Sequence, residues 1–199
     1  MLERASAIAS GLAAGSRLRA GAAGVRLGEV RGWSLFQIAG FPGADMTRLE
    51  LVVGATCGLA VPARIGDAAR IGDVTILRTG PEQIWFVAPE GRAGLGPALR
   101  ADVAPGSGVV TSLSHSRSRI FIEGARVRDT LAKEIAVDLD PNVFGVDRFV
   151  LTGFDHTPIL LHRTGAERYE VYVMRTFALT VWGRLTDMAL EFGYEVAAK

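Results

Sequence analysis

The sequence predicts an α+β fold made of two successive halves, packed together, each with a split βαβ pattern. The first half gives the order strand, helix, strand, strand, helix, strand, and the second half roughly repeats it. The chain of 199 residues is 49% apolar, and folding at this length removes about 70% of the chain's surface from water. A substantial hydrophobic core can therefore form.

We divide the chain into three parts: residues 1–31 as an N-terminal arm, residues 32–113 as the first α+β half and residues 114–199 as the second. The arm is rich in Ala, Ser and Gly, and it carries five arginines against two glutamates. It lacks the strong Leu/Val/Ile segment of a secretory leader, so we expect no signal peptide there. Such a segment is either flexible in solution or docked on a partner.

The first half begins with a predicted strand over Trp33–Ala39. Asp45 then has the position of a helix N-cap, since Asp side chains accept hydrogen bonds from the first backbone amides of a helix. We predict that helix over Met46–Gly54, with Leu51 to Val53 alternatively suiting a buried strand.

A short tandem duplication follows, Ala63–Asp67 and Ala69–Asp73, and its glycines are typical of turn positions. The turn formers Thr79 to Glu82 then predict a hairpin. The remaining elements of this half are strands over Val74–Arg78, Gln83–Val87 and Gly108–Leu113 and a helix over Gly94–Val103.

The second half ends in the clearest helix of the chain, Phe177–Phe192, which has one wide apolar face and a natural stop at Gly193. An earlier helix is predicted from the apolar stripe Val127, Leu131 and Ile135. The strands of this half are predicted over Arg119–Glu123, Phe149–Thr152, Pro158–His162, Tyr169–Val173 and Tyr194–Ala197.

The candidate nucleophile with a neighbouring base is Ser114–His115. Adjacent side chains on an extended chain point to opposite faces, and the sequence contains no G-x-S-x-G elbow. We therefore expect no catalytic residue here. A small hydrolase using Ser114 and His115 stays as the third functional alternative.

Metal and cofactor sites are not predicted either. His115, His156 and His162 are widely spaced, and Asp155 could join the last two only through an accidental hairpin geometry. Cys57, the only cysteine, lies among small apolar residues and is expected to be a buried, inert thiol.

The glycine, acidic and aromatic residues predict no ligand site either. Gly91, Gly94 and Gly96 lack the spacing of a phosphate-binding loop, and Asp138 and Asp140 are interpreted as a solvated turn. The indoles that could stack on a pterin, assigned instead to the core, are Trp85 and Trp182. We predict no catalytic, cofactor-binding or metal-binding residue in this chain.

The charge balance argues against polyanion partners. The 22 basic and 21 acidic residues nearly cancel, so no broad positive field attracts nucleic acid or a membrane surface. One cysteine excludes a disulfide framework within the chain and favours a reducing, cytoplasmic compartment.

The sequence resembles the gamma-subunit family of heterotetrameric sarcosine oxidases. The resemblance covers the chain nearly end to end and is loose over the first forty residues and over Leu51–Gly72. The motifs that carry it are Leu113–Arg117, Ile122–Arg126 with Asp129 and Leu131, Asp138–Pro141, Pro158–Arg163, Glu167–Val173, and Arg175–Ala178 leading to Trp182.

That resemblance implies a fold like the folate-binding domain of glycine-cleavage aminomethyltransferases. It also implies a non-catalytic subunit of an oxidoreductase acting on CH–NH donors, which demethylates sarcosine to glycine with hydrogen peroxide production and one-carbon transfer to tetrahydrofolate. The implied partners are an alpha subunit, as main contact, with beta and delta subunits, and these hold FAD, FMN, NAD and tetrahydrofolate. The alternatives are a free-standing folate-binding or aminomethyl-transfer protein, or a subunit of a related secondary-amine oxidase.

Overall fold

The computed structural model describes residues 5–13, 15–18, 23–92, 94–103 and 106–197. Arg4 and Arg19 of the predicted arm lie outside these residues. The helices and strands are, in chain order, α1 (Ala9–Ala13), β1 (Val25–Val30), β2 (Trp33–Gly40), α2 (Met46–Cys57), β3 (Ala68–Ile71), β4 (Val74–Gly80), β5 (Gln83–Pro89), α3 (Leu95–Asp102), β6 (Gly108–Ser112), β7 (Arg117–Glu123), α4 (Val127–Leu131), β8 (Phe149–Phe154), β9 (Thr157–Gly165), β10 (Arg168–Met174), α5 (Ala178–Ala189) and β11 (Tyr194–Val196).

The chain forms two compact units. Unit 1 comprises Met1–Arg31, Ser116–Val146 and Val150–Lys199, and unit 2 comprises Gly32–His115 and Asp147–Phe149. The chain thus begins in unit 1, passes through unit 2 and returns to unit 1.

Unit 2 contains a five-stranded sheet in the order β3-β4-β5-β2-β6, and every neighbouring pair is antiparallel. Because β5 lies between β2 and β4, this is the split βαβ arrangement that the sequence predicts. Helices α2 and α3 cover one face of the sheet. Their residues Val53 and Leu99 are fully buried there against sheet residues such as Ile38 and Phe86.

Unit 1 contains a six-stranded sheet in the order β11-β1-β7-β10-β9-β8, with Phe149 of β8 belonging to unit 2. Here β10 lies between β7 and β9, so the strand order of unit 2 recurs. One apolar face of the sheet packs against α4 and α5. Val171 of β10, Leu131 of α4 and Trp182 and Leu185 of α5 share this core.

The α+β fold class is confirmed, and several local predictions hold with it. Asp45 caps α2, since its carboxylate accepts a hydrogen bond from the backbone N–H of Arg48 at 3.2 Å. Gly66 and Gly72 of the tandem duplication have φ angles of +87° and +57°, a region in which residues other than glycine are strained.

The expectation of an arm over residues 1–31 is wrong for Val25–Val30, because these residues form β1. This strand pairs antiparallel with β7 and parallel with β11, so it is inserted into the sheet of unit 1. Gly28 permits the insertion, since a Cβ there would collide with the ring of Phe121 on β7. The side chains of Val25 and Leu27 are buried in the core.

Two further boundaries differ from the sequence prediction. The second copy of the tandem duplication contains all but the first residue of β3, a four-residue strand paired with β4, rather than turns alone. Helix α4 ends at Leu131, and the chain turns before Ile135, whose side chain is nevertheless buried in the core of unit 1. Both elements are short, and tertiary contacts rather than local propensity decide their extent.

Candidate functional site

Ser114 and His115 lie in different environments, because the side chain of Ser114 is buried and that of His115 is exposed. Ser114 is buried in unit 2, where its Oγ accepts a hydrogen bond from the N–H of Leu35 at 3.0 Å and lies 3.3 Å from the Leu35 carbonyl oxygen. Its other neighbour is the hydroxyl of Ser112 at 3.2 Å, and His115 is exposed. The Ser114 hydroxyl therefore links the residues that follow β6 to the backbone of β2.

The histidines occupy unrelated environments. His156 is fully exposed beside Asp155, with 3.5 Å between Nε2 and Oδ1, whereas His162 is buried in β9. Across the described residues, no three His, Cys, Asp or Glu side chains converge in a way that could hold a metal ion. Cys57 is buried at the end of α2, and burial raises the pKa of its thiol to about 12. The thiol is consequently protonated at neutral pH.

Asp138 and Asp140 stabilise turns, as the sequence predicts. Asp138 Oδ1 accepts from the N–H of Asp140 at 2.9 Å, and Asp140 Oδ1 accepts from the N–H of Asn142 at 2.8 Å. Trp85 and Trp182 have packing roles: Trp85 donates from Nε1 to Gln37 Oε1 at 3.1 Å, and Trp182 is buried in the core of unit 1.

The feature that the sequence analysis missed is a row of alternating charges on the unit 1 sheet, on the face opposite α4 and α5. It spans β7, β10, β1 and β11. Along the sheet this charged row contains Arg119, Glu170, Arg168, Glu123, Arg26 and Glu195. Each arginine stands between carboxylates or next to one, so the row is neutral as a whole.

The buried end of the charged row is the Arg119–Glu170 pair. Glu170 Oε2 accepts from Arg119 Nε at 2.7 Å and Nη2 at 2.6 Å, which is the close geometry of a charge-assisted bond. The Tyr172 hydroxyl lies 3.4 Å from the same oxygen. Side-chain exposure is 5% for Glu170 and 16% for Arg119.

The surroundings of Arg119 favour its charged form although the side chain is buried. Burial opposes the charge on Arg119, but its attraction to Tyr172 and Glu170 prevails and raises the pKa of the guanidinium. Burial is also the main reason why the pKa of Tyr172 lies well above its ordinary value. The phenol is therefore neutral and donates its proton toward Glu170 rather than acting as a base.

The row becomes more exposed toward the edge of the sheet. Arg168 ion-pairs with Glu123 and lies over the ring of Phe121 at 4.3 Å from its centroid. Arg26 Nη1 lies 3.1 Å from Glu123 Oε1, and its own Nε is 3.7 Å from Glu195, whose side chain is 55% exposed. Every charge in the row faces an opposite charge, so its chemical effect is to fix strand register.

A signal for this row was present in the sequence. Arg119 lies two residues before Phe121 and Glu123 two residues after it. Arg168 and Glu170 alternate with apolar residues in the same way. Charges on one face of a strand, repeated on the next strand, indicate cross-strand pairs. Their pairing requires the register of β7 with β10, which the sequence does not contain.

The segment before β1 is folded onto its own unit. Ile8 is fully buried in the core of unit 1, and a Cβ at Gly11 of α1 would lie 2.6 Å from Nε1 of Trp182. Arg17 exchanges backbone hydrogen bonds of 2.9 and 2.7 Å with Tyr194 of β11. The described part of the predicted arm therefore docks on this chain itself.

A family comparison identifies the protein class. The family model described as "Sarcosine oxidase, gamma subunit family" matches residues 48–191, which is more than two thirds of the chain. The chain belongs to this family. Its curated members include the sarcosine oxidase subunit gamma of Arthrobacter sp, 32% identical over 147 residues, which are 73% of this chain and 72% of that one.

A second gamma subunit, from Corynebacterium sp. (strain U-96), is 31% identical over 176 residues, covering 87% of this chain and 83% of the relative. Among solved structures, the heterotetrameric sarcosine oxidase from Corynebacterium sp. U-96 in complex with pyrrole 2-carboxylate contains a chain similar to this one. The two share 29% identity with a TM-score of 0.85, and the match covers 98% of each.

The fold of this chain is also similar to that of glycine cleavage system aminomethyltransferase T from Bartonella henselae. That match has a TM-score of 0.62 at 15% identity and covers 96% of this chain and 50% of the aminomethyltransferase. At this identity the likeness concerns the fold alone. No helix among the described residues combines the length and the apolar character needed to cross a membrane.

Proposed function

We propose that this chain is the non-catalytic gamma subunit of a heterotetrameric sarcosine oxidase. The complex oxidatively demethylates sarcosine to glycine, produces hydrogen peroxide and transfers the one-carbon unit to tetrahydrofolate. The observation that carries the proposal is the end-to-end likeness, 98% of both chains, to a chain of the solved Corynebacterium heterotetramer. A likeness of that extent is what a subunit occupying the same place in the same assembly requires.

In this proposal the alpha subunit is the main contact and the beta and delta subunits complete the assembly. The partners hold FAD, FMN, NAD and tetrahydrofolate, and this chain binds none of them alone. It contacts neither nucleic acid nor membrane, consistent with its nearly balanced charge. The complex works in the cytoplasm, where the free thiol of Cys57 stays reduced.

Two features support the non-catalytic role. The candidate nucleophile Ser114 holds the backbone of Leu35 instead of contacting His115. The buried carboxyl group of Glu170 contacts Arg119 and the neutral phenol of Tyr172. It is therefore not available as a base for a substrate. These groups hold the strands of their own sheets in a fixed register. That role suits a chain that binds other subunits through its surface.

The test is assembly. A tagged form of this chain, co-expressed with the alpha, beta and delta subunits from the same source, is expected to co-purify with all three in equal amounts. Leaving this chain out should give an assembly of the other three subunits that can be purified but has a lower melting temperature and little sarcosine oxidation. A full yield of stable, active complex without this chain would contradict the proposal.

The alternative functions are separated by two measurements. Calorimetry with tetrahydrofolate on the purified chain is expected to give no heat of binding, whereas micromolar binding would favour a free-standing folate-binding or aminomethyl-transfer protein. Comparing sarcosine with other secondary amines on the assembled complex distinguishes a sarcosine oxidase from a related secondary-amine oxidase. An unchanged complex activity in a Ser114→Ala variant would eliminate the hydrolase alternative.

A further inference from the structure

The two edge strands of the unit 2 sheet differ in what lies beside them. At the β3 edge, residues 147–149 run alongside the sheet: the N–H of Ala68 donates to the Asp147 carbonyl at 2.7 Å, and the N–H of Phe149 donates to the Gly66 carbonyl at 2.8 Å. At the other edge, β6 pairs with β2 alone among the described residues. One edge is therefore covered by the chain itself, and at the other no further strand of the described residues is paired.

The register shows which backbone groups of β6 point away from the sheet. The N–H of Leu113 donates to the Leu35 carbonyl at 2.8 Å, and the N–H of Phe41 donates to the Ser107 carbonyl at 3.1 Å. Hydrogen-bonded residues alternate along an antiparallel strand, so the odd-numbered residues of β6 face β2. The N–H and C=O groups of the even-numbered residues Gly108, Val110 and Ser112 consequently face outward.

The composition of β6 leaves this edge open to pairing. Its sequence is Gly-Val-Val-Thr-Ser, and Val109 is 46% exposed. Proteins normally protect a sheet edge with a charged residue, a proline or a bulge. β6 contains no charged residue or proline and pairs with β2 in an unbroken register. An extended segment of another chain can therefore add to it as a sixth strand.

A nearby arginine indicates the charge of that segment. Arg100 of α3 is exposed, and its Nε lies 3.5 Å from the outward carbonyl of Val110, a distance at the limit of a hydrogen bond. No carboxylate among the described residues pairs with Arg100, and its guanidinium lies 6.0 Å from the ring centroid of Phe36. A carboxylate on the added strand would supply the missing partner. A second copy of this chain, paired about Val110, would instead bring two Arg100 side chains together.

We propose that the outer edge of β6 binds an extended strand of the alpha subunit, the main contact in the proposed assembly, with an Asp or Glu of that strand opposite Arg100. This inference rests on the proposed function, because it takes the occupant from the heterotetramer. It names the surface by which the chain joins that assembly.

Ser112 offers a matched pair of variants. Ser112→Pro removes an outward N–H without removing a bond to β2, and Ser112→Ala loses the same hydroxyl but keeps the N–H. With the alpha, beta and delta subunits purified without this chain, binding of Ser112→Pro is expected to weaken at least tenfold and Ser112→Ala to stay within about twofold of wild type. Equal binding by both variants would overturn the proposal.

Variants at Arg100 test the charge of the added strand independently of its backbone hydrogen bonds. Arg100→Glu should weaken binding more than Arg100→Gln does, and the difference should shrink as salt is raised, since salt screens charge pairs at a surface. Equal affinities for the two Arg100 variants at low salt would argue against an acidic strand. A wild-type dimer that Ser112→Pro dissociates would assign the edge to a second copy and overturn the inference.

Amide hydrogen exchange on the wild-type chain makes the test independent of whether the proline variant folds. The N–H groups of Val110 and Ser112 should exchange rapidly in the free chain and at least tenfold more slowly in the complex, while those of the edge strand β8 should change little. Unprotected β6 amides in an assembled complex would refute the edge assignment and leave the subunit function standing. A wild-type chain that binds none of the alpha, beta and delta subunits would refute the proposed function itself.

Discussion

Replacing Glu170 by glutamine tests whether the charged row holds the sheet of unit 1 together. The change leaves the shape of the side chain but removes the negative charge that Arg119 contacts at 2.6 and 2.7 Å. Removing one partner of a buried ion pair costs about 3–5 kcal/mol, because the other charge stays buried without compensation. Arg119 retains 16% exposure and its position 5.4 Å from the Tyr172 ring centroid, so we expect the lower value, about 3 kcal/mol.

The assay is urea denaturation followed by circular dichroism. With a slope of about 2 kcal/mol per M, the Glu170→Gln midpoint should fall by about 1.5 M. The control is Glu195→Gln at the exposed end of the row, which should cost less than about 0.5 kcal/mol. A double variant with methionine at both Arg119 and Glu170 should recover at least half of the loss, since it buries no lone charge. A Glu170→Gln midpoint equal to that of the control would refute this reasoning.

Three further predictions concern α1, α5 and the buried thiol. Gly11→Leu should lower the melting temperature and increase the exposure of Trp182 to a fluorescence quencher, since the new side chain displaces α1 from the indole; unchanged quenching would contradict that packing. Gly183→Ala on α5, where nothing lies within 4 Å of the new Cβ, should raise stability by up to about 1 kcal/mol, and a lower melting temperature would count against it. The pKa of the Cys57 thiol is raised by burial from 9.0 to about 12, so the folded chain keeps a proton that the unfolded chain releases. Its contribution to stability is complete below pH 9 and is lost as pH rises toward 12, at up to about 1.4 kcal/mol per pH unit; Cys57→Ala should show a shallower decline between pH 9 and 11 in denaturation midpoints, and parallel curves would disprove the assignment.

Much of the fold could be predicted because local signals and packing agree. Asp45 caps α2 where the sequence places an N-cap, and the apolar face of α5 is the one buried in unit 1. The split βαβ order follows from the order of the predicted helices and strands along the chain. Such agreement between local preference and tertiary environment is what makes an element readable from sequence.

The missed elements depend on partners distant in the chain. β1 contains Gly28 and two charged residues, and it is a strand because β7 and β11 lie on its two sides. β3 is only four residues long and is stabilised by its pairing with β4. The charged row likewise depends on the register that places Glu170 beside Arg119. None of these relations is local, so periodicity and propensity could not indicate them.

The insertion of β1 between β7 and β11 has a consequence for biosynthesis. During synthesis β1 cannot complete its pairing until β11 has been made, because the two strands are neighbours in the sheet although unit 2 lies between them in the sequence. While the ribosome is still elongating, nearly all of unit 2 has already emerged, since all but three of its residues precede Ser116. Domains form as their residues become available, so unit 2 is able to fold before the sheet of unit 1 is complete, and that sheet closes only after β11 has emerged.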